Sequence, residues 1–203
     1  RLREHPTQLD GGQLLAVLLI LPAPALADEC TQRLQTLLAT DLTADGPYTA
    51  MNTNVMAGAE QVYRQSFVSD RHFLVETISP PGVPATLHYE GSAWHADGAG
   101  GWTLAWEMDA DEAAQGIEDQ RQAAAAAVES ATCVEGDGTV TIEGTLGPTP
   151  HFGPQATVGY VVDAATNQVV ELSYAYVING VPVTADYQIS RAPGLSLPLP
   201  PGN

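Results

Sequence analysis

The side chains able to do chemistry are few and scattered. His72, His88 and His95 match no familiar ligand spacing, and a zinc site needs several convergent donors. The acidic run Asp109-Ala110-Asp111-Glu112 lacks the glycine and the distal glutamate of a calcium loop; it suits the first turn of a helix instead. The chain has no Gly-x-Ser-x-Gly elbow, no His-Glu-x-x-His pair and no phosphate-cradling glycine loop. No catalytic residue, metal or cofactor is expected, and the chain reads as non-enzymatic.

What remains is aromatic and apolar. Trp94, Trp102 and Trp106 cluster in sequence with Tyr89 and Leu104, and Phe73, Val75 and Leu87 lie in neighbouring strand patterns. Phe73, Val75, Leu87, Tyr89, Trp94, Trp102 and Leu104 are therefore candidates for the wall of a ligand cavity. The same residue types also suit the filled core of a half-buried hairpin. Arg64 and Arg71 are candidate rim cations for a carboxylate or phosphate headgroup, or else partners for nearby acids.

Cations are scarce. The chain has seven arginines and no lysine, with a net charge of −17. Such a surface repels phosphate backbones and anionic headgroups, which argues against nucleic acid and bare anionic membrane as partners.

The beginning of the chain addresses it. Arg1 and Arg3 precede the apolar run Leu14–Leu21, and Ala25-Leu26-Ala27 supplies small residues at the −3 and −1 positions of a cleavage site. This reads as a secretory signal over residues 1–27, too short to span a bilayer. A periplasmic or secreted protein is expected, with no stable membrane insertion after cleavage. The residues before Cys30, Ala27-Asp28-Glu29, do not make a lipobox. In an oxidising compartment Cys30 and Cys133 read as a disulfide. It would close a long loop, worth roughly 4–5 kcal/mol in the chain-entropy model.

The elements that would position these residues follow from periodicity. Leu34, Leu37, Leu38 and Leu42 predict a helix over about 29–42, with Cys30 one turn earlier on the same face. Strands are expected at 48–57, 61–68, 71–78, 85–89, around Trp94, and at 102–106. The acidic start and alanine run of 109–129 predict a second helix with a thin apolar stripe. Strands return at 139–143, 157–162, 168–177 and 181–190, with Asn179-Gly180 as the strongest hairpin signal. Residues 28–191 make one domain, and the proline-rich 192–203 is expected to be unfolded. Strands with one apolar face need a cover, and two thin helices cover a sheet only if it curls around them. The expectation is an α+β protein: an open, strongly curved antiparallel sheet, or half-barrel, with helices packed in its concavity.

At this point the chain resembles the LolA/LolB-like superfamily of bacterial envelope proteins. The group includes lipoprotein carriers, lipid-binding lipoproteins and the regulator RseB. The similar features are Ser69-Asp70-Arg71-His72-Phe73 opening the second member of a strand pair, Glu90-Gly91-Ser92-Ala93-Trp94, Gly100-Gly101-Trp102 before a helix, and Val162-Asp163-Ala164-Ala165-Thr166-Asn167 opening a long hairpin. The resemblance implies an unclosed barrel with helices as a lid. Its apolar cavity would hold an acylated small molecule or a lipoprotein acyl chain. The alternative it implies is an RseB-like envelope module with a protein partner and no cavity.

Overall fold

The computed structural model describes residues 24–202, with side chains from residue 28 onward. The export-signal reading falls on 1–27, of which 1–23 lie outside the described residues.

The first helix, α1 (Pro24–Ala39), is followed by a short 3-10 turn (Leu42–Asp45) rather than running on to Leu42. Asp41 ends the α-helical run by accepting a hydrogen bond from the Thr43 amide at 2.8 Å, which caps the turn. Six strands come next: β1 (Tyr48–Met56), β2 (Ala59–Ser69), β3 (His72–Ser79), β4 (Thr86–Tyr89), β5 (Ser92–Ala96) and β6 (Trp102–Glu107). The second helix, α2 (Ala110–Ala126), opens on Asp109, whose carboxylate accepts from the Asp111 and Glu112 amides at 2.9 and 3.1 Å. The acidic run is thus a helix cap. Five strands complete the chain: β7 (Val128–Glu135), β8 (Thr139–Leu146), β9 (Ala156–Asp163), β10 (Val169–Ile178) and β11 (Val181–Arg191). Asn179 and Gly180 both take positive φ, 51° and 79°, at the β10–β11 turn, as the hairpin signal requires.

The sheet is a single antiparallel array in the order β6-β5-β4-β3-β2-β1-β11-β10-β9-β8-β7. It consists of two meanders sewn together by β1 and β11, which pair from Tyr48 with Arg191 to Met56 with Val183. Among the described residues neither β6 nor β7 has a second neighbour, so the array is open. The fold is the expected one: an open antiparallel sheet carrying two helices.

The strand β7 has no counterpart in the sequence-based expectation. Its inward residues, Ala131 and Cys133, are too small to write an alternating apolar signal. They are small because α1 lies directly on β7. Cys30 bonds to Cys133 there, with Cα atoms 5.7 Å apart, as expected from the cysteine pair. One strand over, a Cβ at Gly144 would overlap the Leu34 side chain and the Ser130 carbonyl, so only glycine lets α1 seat this deeply. Leu34 is fully buried, and with Ile142, Leu146, Val158, Tyr160 and Val162 it forms the core under α1.

The second helix packs differently. It rests on α1 and stands off the sheet. Its buried residues are only Ala124 and Ala125, so it covers the sheet without filling the space beneath.

Candidate functional site

That unfilled space is a hollow of about 390 Å³ between α2 and the inner face of the sheet. Its aromatic wall comes from one register row. Tyr48 pairs with Phe67 and Phe67 with Phe73 across β1, β2 and β3, and the rings stack at centroid distances of 4.7 and 5.1 Å. The row continues to His88, stacked on Phe73 at 4.2 Å, and to Trp106, edge-on to His88 at 6.0 Å. Leu172, Tyr174 and Tyr187 of β10 and β11 face the same space from the other meander. Phe152, in the β8–β9 loop, closes one side by stacking on Tyr174 at 5.0 Å.

Polar groups are set into this wall. Burial raises the hydroxyls of Tyr48, Tyr174 and Tyr187 above the usual phenol range, and it pushes that of Tyr160, in the core under α1, up to about 12. All four stay neutral at physiological pH. Asn54 lines the hollow, and its Oδ1 is buried without a hydrogen-bond partner. His151 sits in the wall with its pKa lowered by burial. Arg121 reaches from α2 toward the β2–β3 turn, where one of its guanidinium nitrogens donates to Asp70 at 2.9 Å. Glu118 at 3.4 Å and Asp41 at 3.8 Å also neutralise it. The one cation in the wall is therefore enclosed by three carboxylates. The hollow favours neutral, apolar matter over a free anion.

The register sorts the residues singled out in the sequence. Phe73 lines the hollow and Val75 shares its face. Leu87, Trp94 and Leu104 pair with one another across β4, β5 and β6, in line with Leu74, on the opposite outer face. Tyr89, two residues from Leu87, faces outward as well; Trp102, opposite Ala96 on β5, also lies on that side. Arg64 stands on the outer face 3.8 Å from Glu76, and Arg71 lies 3.2 Å from Glu90. Both pairs are solvent-exposed. Among the described residues no three His, Cys, Asp or Glu side chains are grouped so that they could hold a metal ion.

Several wall residues were not singled out as ligand contacts from the sequence: Tyr48, Phe67, Phe152, Tyr174, Tyr187 and Arg121. For Tyr187 a signal exists, because it falls on the strictly alternating apolar face of β11 with Val183, Ala185 and Ile189. Phe152 has none, since it lies in a loop without periodicity.

Neither the scan of protein-family models nor the search of curated proteins finds a match to this chain. Among solved structures, the chain is similar to a putative outer membrane lipoprotein-sorting protein domain from Vibrio parahaemolyticus, with 8% identity over 84% of this chain and 94% of that one, at a TM-score of 0.34. It is similar to a LolA superfamily protein from Nitrosomonas europaea, with 8% identity, coverage of 85% and 94%, and a TM-score of 0.34. A DUF1329 family protein from Desulfovibrio piger is similar at 10% identity, coverage of 84% and 95%, and a TM-score of 0.33.

Proposed function

We propose that this chain is a non-enzymatic carrier or sensor of the bacterial envelope, periplasmic or secreted, that binds an acylated ligand beneath α2. The ligand is a lipid or the acyl chain of a lipoprotein. The observation that carries this reading is the 390 Å³ hollow walled by Tyr48, Phe67, Phe73, Phe152 and Leu172. Its size lies within the range of small-molecule sites, and its lining sets Asn54, Gln65, Gln120, Arg121 and His151 among aromatic and aliphatic side chains. Each methylene transferred from water would contribute about 0.8 kcal/mol. The Cys30–Cys133 bridge supports an oxidising compartment, and no helix among the described residues is long and apolar enough to cross a membrane.

Mass spectrometry of the natively purified protein tests the proposal. Co-purified acylated molecules and saturable binding of a fluorescent fatty acid are expected. A protein that carries no lipid and binds no such probe would sink the reading. A second reading, a protein–protein module, draws on the edge strand β6, where Leu104 and Trp106 are 44% and 48% exposed. A specific envelope partner lost on changing these two residues, but not on changing Phe73, would favour it.

A further inference from the structure

The outer face of β2–β5 has its own occupant. Ser66, Leu74, Leu87 and Trp94 form one register row on that face, away from both helices. Yet Leu87 is fully buried and Ser66 is 7% exposed. Both helices line the inner hollow, so neither covers this row. The segment found against the outer face is the proline-rich stretch after β11. Ala192 donates to the Pro47 carbonyl at 2.9 Å as the chain leaves the sheet, and the Leu195 amide closes a turn onto Ala192 at 2.9 Å. Beyond that turn, the Pro198 carbonyl lies 3.1 Å from His72 Nε2, and Pro200 is buried. A carbonyl only accepts, so Nε2 carries the proton and donates. From Pro198 above β3, two extended residues advance about 6 Å, more than one strand spacing of about 4.8 Å. A span of that length is enough to pass from β3 to its neighbour β4, where Leu87 is buried. Leu-Ser-Leu-Pro-Leu-Pro-Pro writes neither a helical nor a strand period, so its sequence carries no signal of this contact.

We infer that the outer face of β3–β5 is a receptor for an extended proline-rich segment, and that residues 193–202 of this chain are its resident occupant. Three features carry the inference. Proline-rich chain is stiff and extended, so it loses little entropy on docking, and its carbonyls are left free by the absence of internal hydrogen bonds. The receptor offers what such a segment needs: an aromatic and aliphatic floor, with His72 set edge-on to Tyr89 at 5.0 Å, and a ring N–H aimed at a carbonyl. The fit is also incomplete, because the indole N–H of Trp94 on this face is buried without an acceptor. An unsatisfied buried donor is costly, so a proline-rich segment that places a carbonyl there has an advantage over the resident one. The resident stretch therefore acts as a detachable strap that a second copy of a proline-rich segment, offered in trans, can replace.

The test uses the full chain and a labelled synthetic peptide of residues 193–202. In the wild type, the amides of Leu195, Ser196, Leu197 and Leu199 should be as rigid as the strands in NMR relaxation. In Pro200→Asp they should become mobile, with order parameters below about 0.6. The released variant should then bind the peptide at least tenfold tighter than wild type, because the tethered strap competes at high effective concentration. Adding His72→Ala should weaken that binding. Mobile amides in the wild type overturn the proposal without reference to any variant. So does a Pro200→Asp protein that takes up no more peptide than the wild type, and so does rigidity that disappears on dilution, which would mean exchange between copies.

Discussion

Filling the hollow should abolish ligand binding without unfolding the protein. Ala185 stands in the middle of β11, 5% exposed, opposite Asn54 on one side and Tyr174 on the other, and it lines the hollow. Ala185→Phe adds six carbons to that space. These displace about as many ligand methylenes, each worth about 0.8 kcal/mol, for a loss of about 5 kcal/mol or on the order of a thousandfold in affinity. Stability reports independently on whether the space is open. If it is, the ring enters with little change in melting temperature; if the side chains already fill it, overpacking costs about 1–3 kcal/mol. Ala93→Phe is the matched control, because Ala93 is fully buried in β5 and does not line the hollow. It should destabilise the fold. Displacement of a fluorescent fatty acid measures affinity, and thermal melting followed by circular dichroism measures stability. An Ala185→Phe protein that melts like wild type and binds the probe equally well would refute the reasoning, since the ligand would then lie elsewhere.

Other outcomes follow from the packing and the buried groups. Leu34→Ala removes the side chain that seats α1 against Gly144 and should cost about 2–5 kcal/mol in denaturant unfolding; a loss below 1 kcal/mol would mean that α1 is not anchored there. Replacing Cys30 and Cys133 together by serine should cost about 2–5 kcal/mol and free α1 from β7, read as a lower melting temperature and faster exchange of α1 amides. His88 and His151 both have pKa values lowered by burial, and His95 adds to the effect at His88. Between the depressed folded values and the ordinary histidine value of about 6.5, the unfolded chain binds more protons. Their contribution to stability is therefore complete above that value and is lost as pH falls through the folded pKa. Melting temperature should drop from pH 7.5 to 5, and His88→Asn with His151→Asn should flatten that slope. An unchanged slope would place the sensitivity in other groups.

How far the sequence reaches depends on the kind of signal each element writes. Val181–Arg191 alternates strictly, so its inner face of Val183, Ala185 and Ile189 is legible from the order of residues. The Asp109 cap, the alanine helix and the Asn179-Gly180 turn are local, and each is written in a few consecutive positions. The candidate cavity residues show the limit. Tyr89, Trp94 and Leu104 have the composition of a ligand wall, yet the register turns them to the outer face while Phe73 turns inward. A shift of one residue in register exchanges the faces of a strand, and β6 contains such an irregularity between the partners of Ala93 and Trp94.

By itself, the sequence determined the class of elements, the cysteine partnership, the acidic surface and the absence of a recognisable catalytic motif, because all of these reside in local pattern or composition. The tertiary structure alone decided that β1 joins β11 across most of the chain, that small-faced β7 is a strand, and that α2 stands off the sheet to leave a hollow. These depend on which surfaces meet: small residues at 131, 133 and 144 carry no hydrophobic period of their own and acquire meaning only when α1 is laid against them.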